Sequence, residues 1–182
     1  MTELVVLADD KGLPAGTADK ATIHTAETPL HFAFSAYLLD DAGRVLLSRR
    51  ALGKRTWPGV WTNSYCGHPG PGESNEAAVV RRGLEEMGIP AAALGEVETV
   101  LPEFRYRAVD SSGIVENEIC PVFVVRISDP ALLDPNPQEI DSHDWATPQQ
   151  LFDAVDATPF AFSPWLVEEL ADPRLRERLL QG

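Results

Sequence analysis

Gly67-His68-Pro69-Gly70-Pro71-Gly72-Glu73-Ser74-Asn75-Glu76-Ala77-Ala78-Val79-Val80-Arg81-Arg82-Gly83-Leu84-Glu85-Glu86-Met87-Gly88-Ile89 reads as a loop that turns into a helix. Prolines and glycines recur too often before Glu73 for regular structure, so 57–72 reads as a surface loop of the kind that carries function. Ser74 can cap the first free N–H groups, and Ala77, Val80, Leu84 and Met87 recur at spacings of three and four. Gly88 stands where a left-handed residue ends a helix, so the spacing predicts a helix over 75–87. Arg82 and Glu86, four apart, share a different face from that apolar stripe. Glu73, Glu85 and Glu86 bracket the unit with carboxylates, the ligands a hard cation such as Mg2+ prefers when it bridges protein to phosphate. A helix studded with glutamate for solubility alone would leave the glycines unexplained.

On the N-terminal side, Leu4 to Ala8 predicts a short strand and 14–29 a long irregular segment. His31 to Leu39 and Arg44 to Arg50, joined by Asp40-Asp41-Ala42-Gly43, predict a hairpin. On the C-terminal side, strands are expected at Glu96 to Val109 and Ile114 to Ile127, with a short one near His143 to Ala146. Two helices follow, with Thr147 and Ser163 as caps and Pro148 and Pro164 at their first positions; Pro173 should break or kink the second. Strands on both sides of a central helix, with helices at the end, indicate an α/β layer fold with a mixed sheet.

The bulk numbers narrow the function classes. A length of 182 residues and 44% hydrophobic composition suit one domain. No run approaches the roughly 18 apolar residues that span a bilayer, and Met1-Thr2-Glu3 opens without a basic, apolar leader, so a cytoplasmic location is expected and no membrane association. Cys66 and Cys120 are too few for a disulfide framework and read as reduced thiols. A net charge of -13 argues against nucleic acid. A small anion needs only a few cations in one pocket, and Arg49, Arg50, Lys54 and Arg55 fall close together.

A second constellation comprises His24, His31, His68 and the pair Glu116 and Glu118, which point the same way from a strand. Three imidazoles with one or two carboxylates suit Mn2+, Fe2+ or Zn2+ better than Mg2+. His143 has no such company and reads as surface. Cys66, in a polar glycine loop beside a candidate ligand, reads as a catalytic thiol rather than a buried hydrophobe.

The spacing Gly67-x5-Glu73-x7-Arg81, continued by Glu85-Glu86-x-Gly88-Ile89, closely resembles the Nudix box. It departs from the hydrolase pattern at Arg82, where hydrolases carry a metal-binding Glu, and at Gly83, where an aliphatic residue is usual. Arg for Glu exchanges a cation ligand for a phosphate ligand. Adding His24 to Thr28, Leu46 to Ala51, Trp57 to Ser64, Cys66 to Pro69, Phe104 to Arg107, Gly113 to Cys120 and Ala157 to Trp165, nearly the whole chain resembles the type 1 isopentenyl-diphosphate isomerases, Nudix-fold enzymes without hydrolase activity.

That resemblance implies a single Nudix-type α/β (α+β) domain over 1–182, its mixed sheet sandwiched by helices. Residues 1–30 would form an N-terminal strand and substrate loop, 31–147 the core and 148–182 a helical end. It implies a 1,3-allylic proton transfer with Cys66 and Glu116 on opposite sides of the substrate and Tyr106 hydrogen-bonded near Glu116; which of the pair protonates the alkene stays open. His24, His31, His68, Glu116 and Glu118 would hold one Mn2+ or Zn2+, and Glu86 one Mg2+ against the diphosphate. Lys20, Arg50, Lys54 and Arg82 would bind the diphosphate. Trp165 would offer its π face to a carbocation, worth about 1–2 kcal/mol in a dry site. The partner is an isoprenoid diphosphate and the expected state a monomer. A Nudix pyrophosphohydrolase and a silent Nudix-fold binding module are the rival readings.

Overall fold

The computed structural model describes residues 3–182; Met1 and Thr2, on which the expectation about a leader rested in part, lie outside it. No described helix is long and apolar enough to cross a membrane.

Two mixed sheets share the molecule. The smaller runs β2 (Pro14–Asp19), β1 (Leu4–Ala8), β3 (His31–Phe32), β10 (Val115–Ile119), β9 (Arg105–Val109). The larger runs β12 (Ile140–Ala146), β5 (Val45–Arg50), β4 (Phe34–Leu39), β11 (Val122–Arg126), β8 (Glu98–Leu101), with β6 (Trp61–Thr62) on β5 and β7 (Tyr65–Gly67) on β4. Helix α2 (Asn75–Met87) covers one face of the larger sheet, and α3 (Pro148–Ala157), α4 (Pro164–Ala171) and α5 (Pro173–Leu180) cover the other. Strand alternation divides the core accordingly. Phe34, Ala36, Leu38, Phe123 and Val125 pack with Ala78, Val79 and Met87 of α2. Tyr37, Leu39, Val122 and Val124 pack with Leu151, Leu166, Leu170, Leu175 and Leu179. Burial on both faces explains why β4 and β11 read as continuous apolar runs.

Several expected elements divide where the chain changes sheets. His31–Leu39 is two strands parted at Ala33, whose N–H bonds the Ile119 carbonyl instead of continuing one ladder. Likewise 114–127 breaks at Cys120-Pro121, since proline cannot donate to a ladder, and 96–109 divides into β8 and β9. The expected hairpin shrinks to one pair, Leu39↔Val45, because β6 and β7, folded out of the predicted loop, pair with the two diverging strands. The segment 14–29 is not irregular throughout. β2 pairs with β1, and Asp19 caps a short helix α1 (Lys20–Ile23) by accepting from Ala21 N. Thr147, Ser163 and Asp172 cap the last three helices, and Pro173 ends α4 and begins α5 as a full break.

Helix α2 has the expected bounds, with its buried face phased differently. Leu84 is 56% exposed, and the buried side chains are Ala78, Val79, Arg82, Gly83, Glu86 and Met87. The face carrying Arg82 and Glu86 therefore turns inward. Gly83 makes this possible, since a Cβ there would stand 3.3 Å from the Tyr65 hydroxyl and 3.2 Å from Leu94 Cδ1. Gly88 ends the helix at φ 69, and its Cβ would lie 2.5 Å from the Asp134 carbonyl oxygen. Gly88→Ala should therefore destabilise the fold by about 1–3 kcal/mol; an unchanged melting temperature would contradict this reading of the helix end.

Candidate functional site: a cavity between two sheets

The glycine loop is clamped to the start of α2. Arg81 donates to both Glu73 oxygens at 2.8 Å and to the His68 carbonyl at 3.0 Å, while Glu73 accepts from Gly70 N at 2.8 Å. Gly67 has no room for a side chain, as its Cβ would stand 2.7 Å from Arg82 Cγ and 3.0 Å from the Phe34 ring. Glu73, Arg81 and Gly67 thus build the frame, and His68, Arg82 and Glu86 face inward. They line a cavity of about 670 Å³ that both sheets and α1 enclose.

Four predicted ligands converge. The donor atoms of His24, His31, His68 and Glu118 lie within 4.8 Å of one another. His31 Nδ1 stands 3.0 Å from the Pro29 carbonyl, which can only accept, so Nδ1 carries a hydrogen and Nε2 is the atom turned toward the cluster. That Nε2 is 3.3 Å from both His68 Nε2 and Glu118 Oε1, and His68 Nε2 is 3.2 Å from the same Glu118 oxygen. His24 Nε2 is buried with no hydrogen-bond partner and lies 3.6 Å from Glu116 Oε2. Burial, then the neighbouring His68, pulls His24 down to about 4. Burial opposes ionisation of Glu118, but the His31 and His68 contacts hold it well below the usual carboxylate range. A buried imidazole nitrogen left without a partner, gathered with two further imidazoles and a carboxylate held ionised, is a donor set that a divalent cation can use, so these residues fit one.

Glu116 borders this cluster from the next outward position of β10. Thr56 Oγ1 donates to its Oε1 at 2.6 Å, and burial, then Glu118, pushes it up to about 7. Tyr106 was expected beside Glu116; its hydroxyl is 3.5 Å from Glu116 Oε2 but 3.0 Å from Glu118 Oε2, because the register pairs Tyr106 with Glu118 across β9 and β10. Cys66 enters from the other sheet, where burial, then Glu169, pushes its thiol up to about 12. Trp165 is held by its Nε1 donating to Asn63 Oδ1 at 3.0 Å, with Trp57 edge-on at 5.4 Å and Tyr106 at 5.7 Å.

Lys20, Arg50, Lys54 and Arg82 all line the cavity. Arg50 donates to Thr56 and sits 5.4 Å from the Trp165 ring centroid. The other three are paired with carboxylates: Lys20 with Glu3 at 2.8 Å, Lys54 with Glu139, and Arg82 with Glu86, Glu85 and Glu139. Arg55 also reaches the cavity, whereas Arg49 turns away to Asp141 at 3.0 Å and the Gly59 carbonyl. His143 is exposed on β12. Sequence reasoning missed Thr56, Glu3 and Glu139, whose parts depend on partners far along the chain, and gave Asn63 no role within the motif that contains it.

The NUDIX domain family model matches residues 29–166. Curated relatives named isopentenyl-diphosphate Delta-isomerase include one from Corynebacterium glutamicum, 57% identical over 99% of this chain and 95% of its own length. Another, from Paenarthrobacter aurescens, is 58% identical over 91% and 87%. Among solved structures, DR0079 from Deinococcus radiodurans superposes with a TM-score of 0.70 at 20% identity, covering 97% of this chain and 99% of that one. The Nudix hydrolase RenU from M. smegmatis gives 0.56 at 20% identity, over 97% and 92%. At such identities these two bear on the fold alone. With the domain model spanning most of the chain and relatives above half identity along nearly all of it, the chain belongs to the isopentenyl-diphosphate Delta-isomerase family of the NUDIX fold.

Proposed function

We propose that this protein converts isopentenyl diphosphate to dimethylallyl diphosphate. The observation that carries the reading is the placement of Cys66 and Glu116, which reach one cavity from different sheets. A proton added to the terminal alkene carbon leaves a tertiary cation, and loss of a proton from the carbon beside the ester CH2 forms the new double bond. One of the two residues gives and the other takes, and the reverse reaction exchanges their parts. Trp165 and Tyr106 wall the cation from water, and Trp165 stabilises it through its π face.

Lys20, Lys54 and Arg82 hold the diphosphate by exchanging their carboxylate partners for phosphate oxygens, with Arg50 beside them. Glu86 would share a Mg2+ with the diphosphate. His24, His31, His68 and Glu118, with Glu116 adjoining, would hold Mn2+ or Zn2+. Such a cation, when bound, polarises and orients the Glu116 carboxyl. The purified protein should retain about one divalent ion at this cluster, and Glu118→Gln should lose it by elemental analysis; an equal content in the variant would remove Glu118 from the site. We place the activity in the cytoplasm and in the monomer.

Arg82→Met keeps the volume and removes the cation. Lost charged hydrogen bonds of about 1.5–3 kcal/mol should raise KM about tenfold to a hundredfold; an unchanged KM would sink the phosphate role. The reaction itself is tested by mixing enzyme with isopentenyl diphosphate and following acid-labile allylic diphosphate against free phosphate. Phosphate release from it, or from a panel of nucleotide diphosphates, would favour a hydrolase instead.

A further inference from the structure

Glu169 is a carboxyl with 0% exposure that the proposed reaction does not use. It lies one turn beyond Trp165 on α4, so the helix that presents Trp165 to the cavity presents Glu169 on the same side. Tyr37 OH donates to Glu169 Oε2 at 2.6 Å, while Oε1 is buried without a partner in hydrogen-bond geometry. Ser35 lies two residues before Tyr37, on the same face of β4. Burial pushes Glu169 up to about 8, against the downward pull of the Ser35 and Tyr37 hydroxyls. Burial thus favours the protonated carboxyl, and with Oε2 accepting from Tyr37 the oxygen free to carry the proton is Oε1.

Ser35 leads directly to Cys66. The register of β4 with β7 sets Ser35 opposite Cys66, on the same face of the sheet as Tyr37, and the oxygen and sulfur are 3.4 Å apart. Asn63 also approaches the thiol, at 3.2 Å and 3.3 Å, but its amide is already committed. Its two hydrogens go to the Ala36 and Tyr65 carbonyls, and its oxygen accepts from Thr62 and Trp165. A primary amide has two hydrogens and two lone pairs to give. Among the described residues Ser35 is thus the partner of Cys66 with capacity to spare.

We propose that Glu169 is a positioning residue for the reaction: its carboxyl fixes the direction of the Ser35 hydroxyl, and Ser35 in turn fixes the rotamer of the Cys66 thiol. With the carboxyl donating to Ser35 Oγ, the Ser35 hydrogen points at the sulfur, and Tyr37 locks the carboxyl from behind. A buried hydroxyl without that neighbour would be free to turn its hydrogen away from Cys66. The inference rests on the isomerase reading, because the orientation of Cys66 matters only if its sulfur exchanges a proton with the substrate.

Steady-state kinetics of four variants test it. Glu169→Leu and Ser35→Ala should each lower kcat about tenfold or more with KM within twofold, as expected for a misplaced reacting group. Glu169→Gln can accept from Tyr37 and donate to Ser35, and should return kcat to within a few-fold of the parent. Ser35→Ala combined with Glu169→Leu should be no slower than the worse single variant. Parental kcat in Ser35→Ala overturns the proposal, as does a Gln variant as slow as the Leu variant or a double variant with multiplied losses. If Glu169→Leu fails to fold, Ser35→Ala and Glu169→Gln carry the same decision. An inactive parent protein would reject the isomerase reading; an active parent with unaffected variants rejects only the role of Glu169.

Discussion

Cys66→Ala should lower kcat by roughly 10² to 10⁴, the range that a positioned proton donor or acceptor contributes. An unactivated alkene is a very weak base, so nothing in the cavity can replace the thiol at the sulfur position. The neighbouring Asn63 amide is spent on the Ala36 and Tyr65 carbonyls, and the Ser35 hydroxyl has the thiol itself as its partner. The change removes one atom from a half-buried site in a short strand, so the melting temperature should fall by no more than a few degrees. KM should stay close to the parent value, because the sulfur does not touch the diphosphate cations. Turnover within tenfold of the parent would contradict the assignment of Cys66.

Glu116→Gln should cost a similar factor for a different reason. The amide keeps the shape of the carboxyl and can still accept from Thr56, which donates to Oε1 at 2.6 Å. It cannot take or return a proton at ordinary pH. Because His24, His31, His68 and Glu118 converge without it, the variant should retain its divalent ion, which separates loss of proton transfer from loss of metal. Near-parental kcat would remove Glu116 from the reaction, and loss of the ion would make it a ligand foremost.

The difference between what the residues announced and what the fold required is physical. The loop and α2 were legible because Ser74, Gly88 and the glycines act locally, through caps and close approach. The phase of α2 was misread because Leu84 is apolar and exposed, whereas Arg82 and Glu86 are charged and buried. Periodicity assumes that apolar side chains face inward, and a charged cavity in the core violates it. Strand breaks at Ala33 and Cys120-Pro121 were invisible because the chain stays extended while it changes sheets. His24, His31, His68 and Glu118 were identified from residue type and company, and they do converge. The ion pairs of Glu3 and Glu139 arise between residues up to 85 positions apart, as for Lys54 and Glu139, and no local pattern marks them.

The central claim is that the protein moves a proton on the hydrocarbon and leaves the phosphate intact. Incubating the purified protein with isopentenyl diphosphate in D2O, with Mg2+ and Mn2+ present, and following the carbon skeleton and the phosphorus by NMR tests this directly. The account predicts dimethylallyl diphosphate with deuterium in a methyl group and no inorganic phosphate or diphosphate. Unlabelled starting material, or phosphate released without deuterium entering carbon, would contradict it.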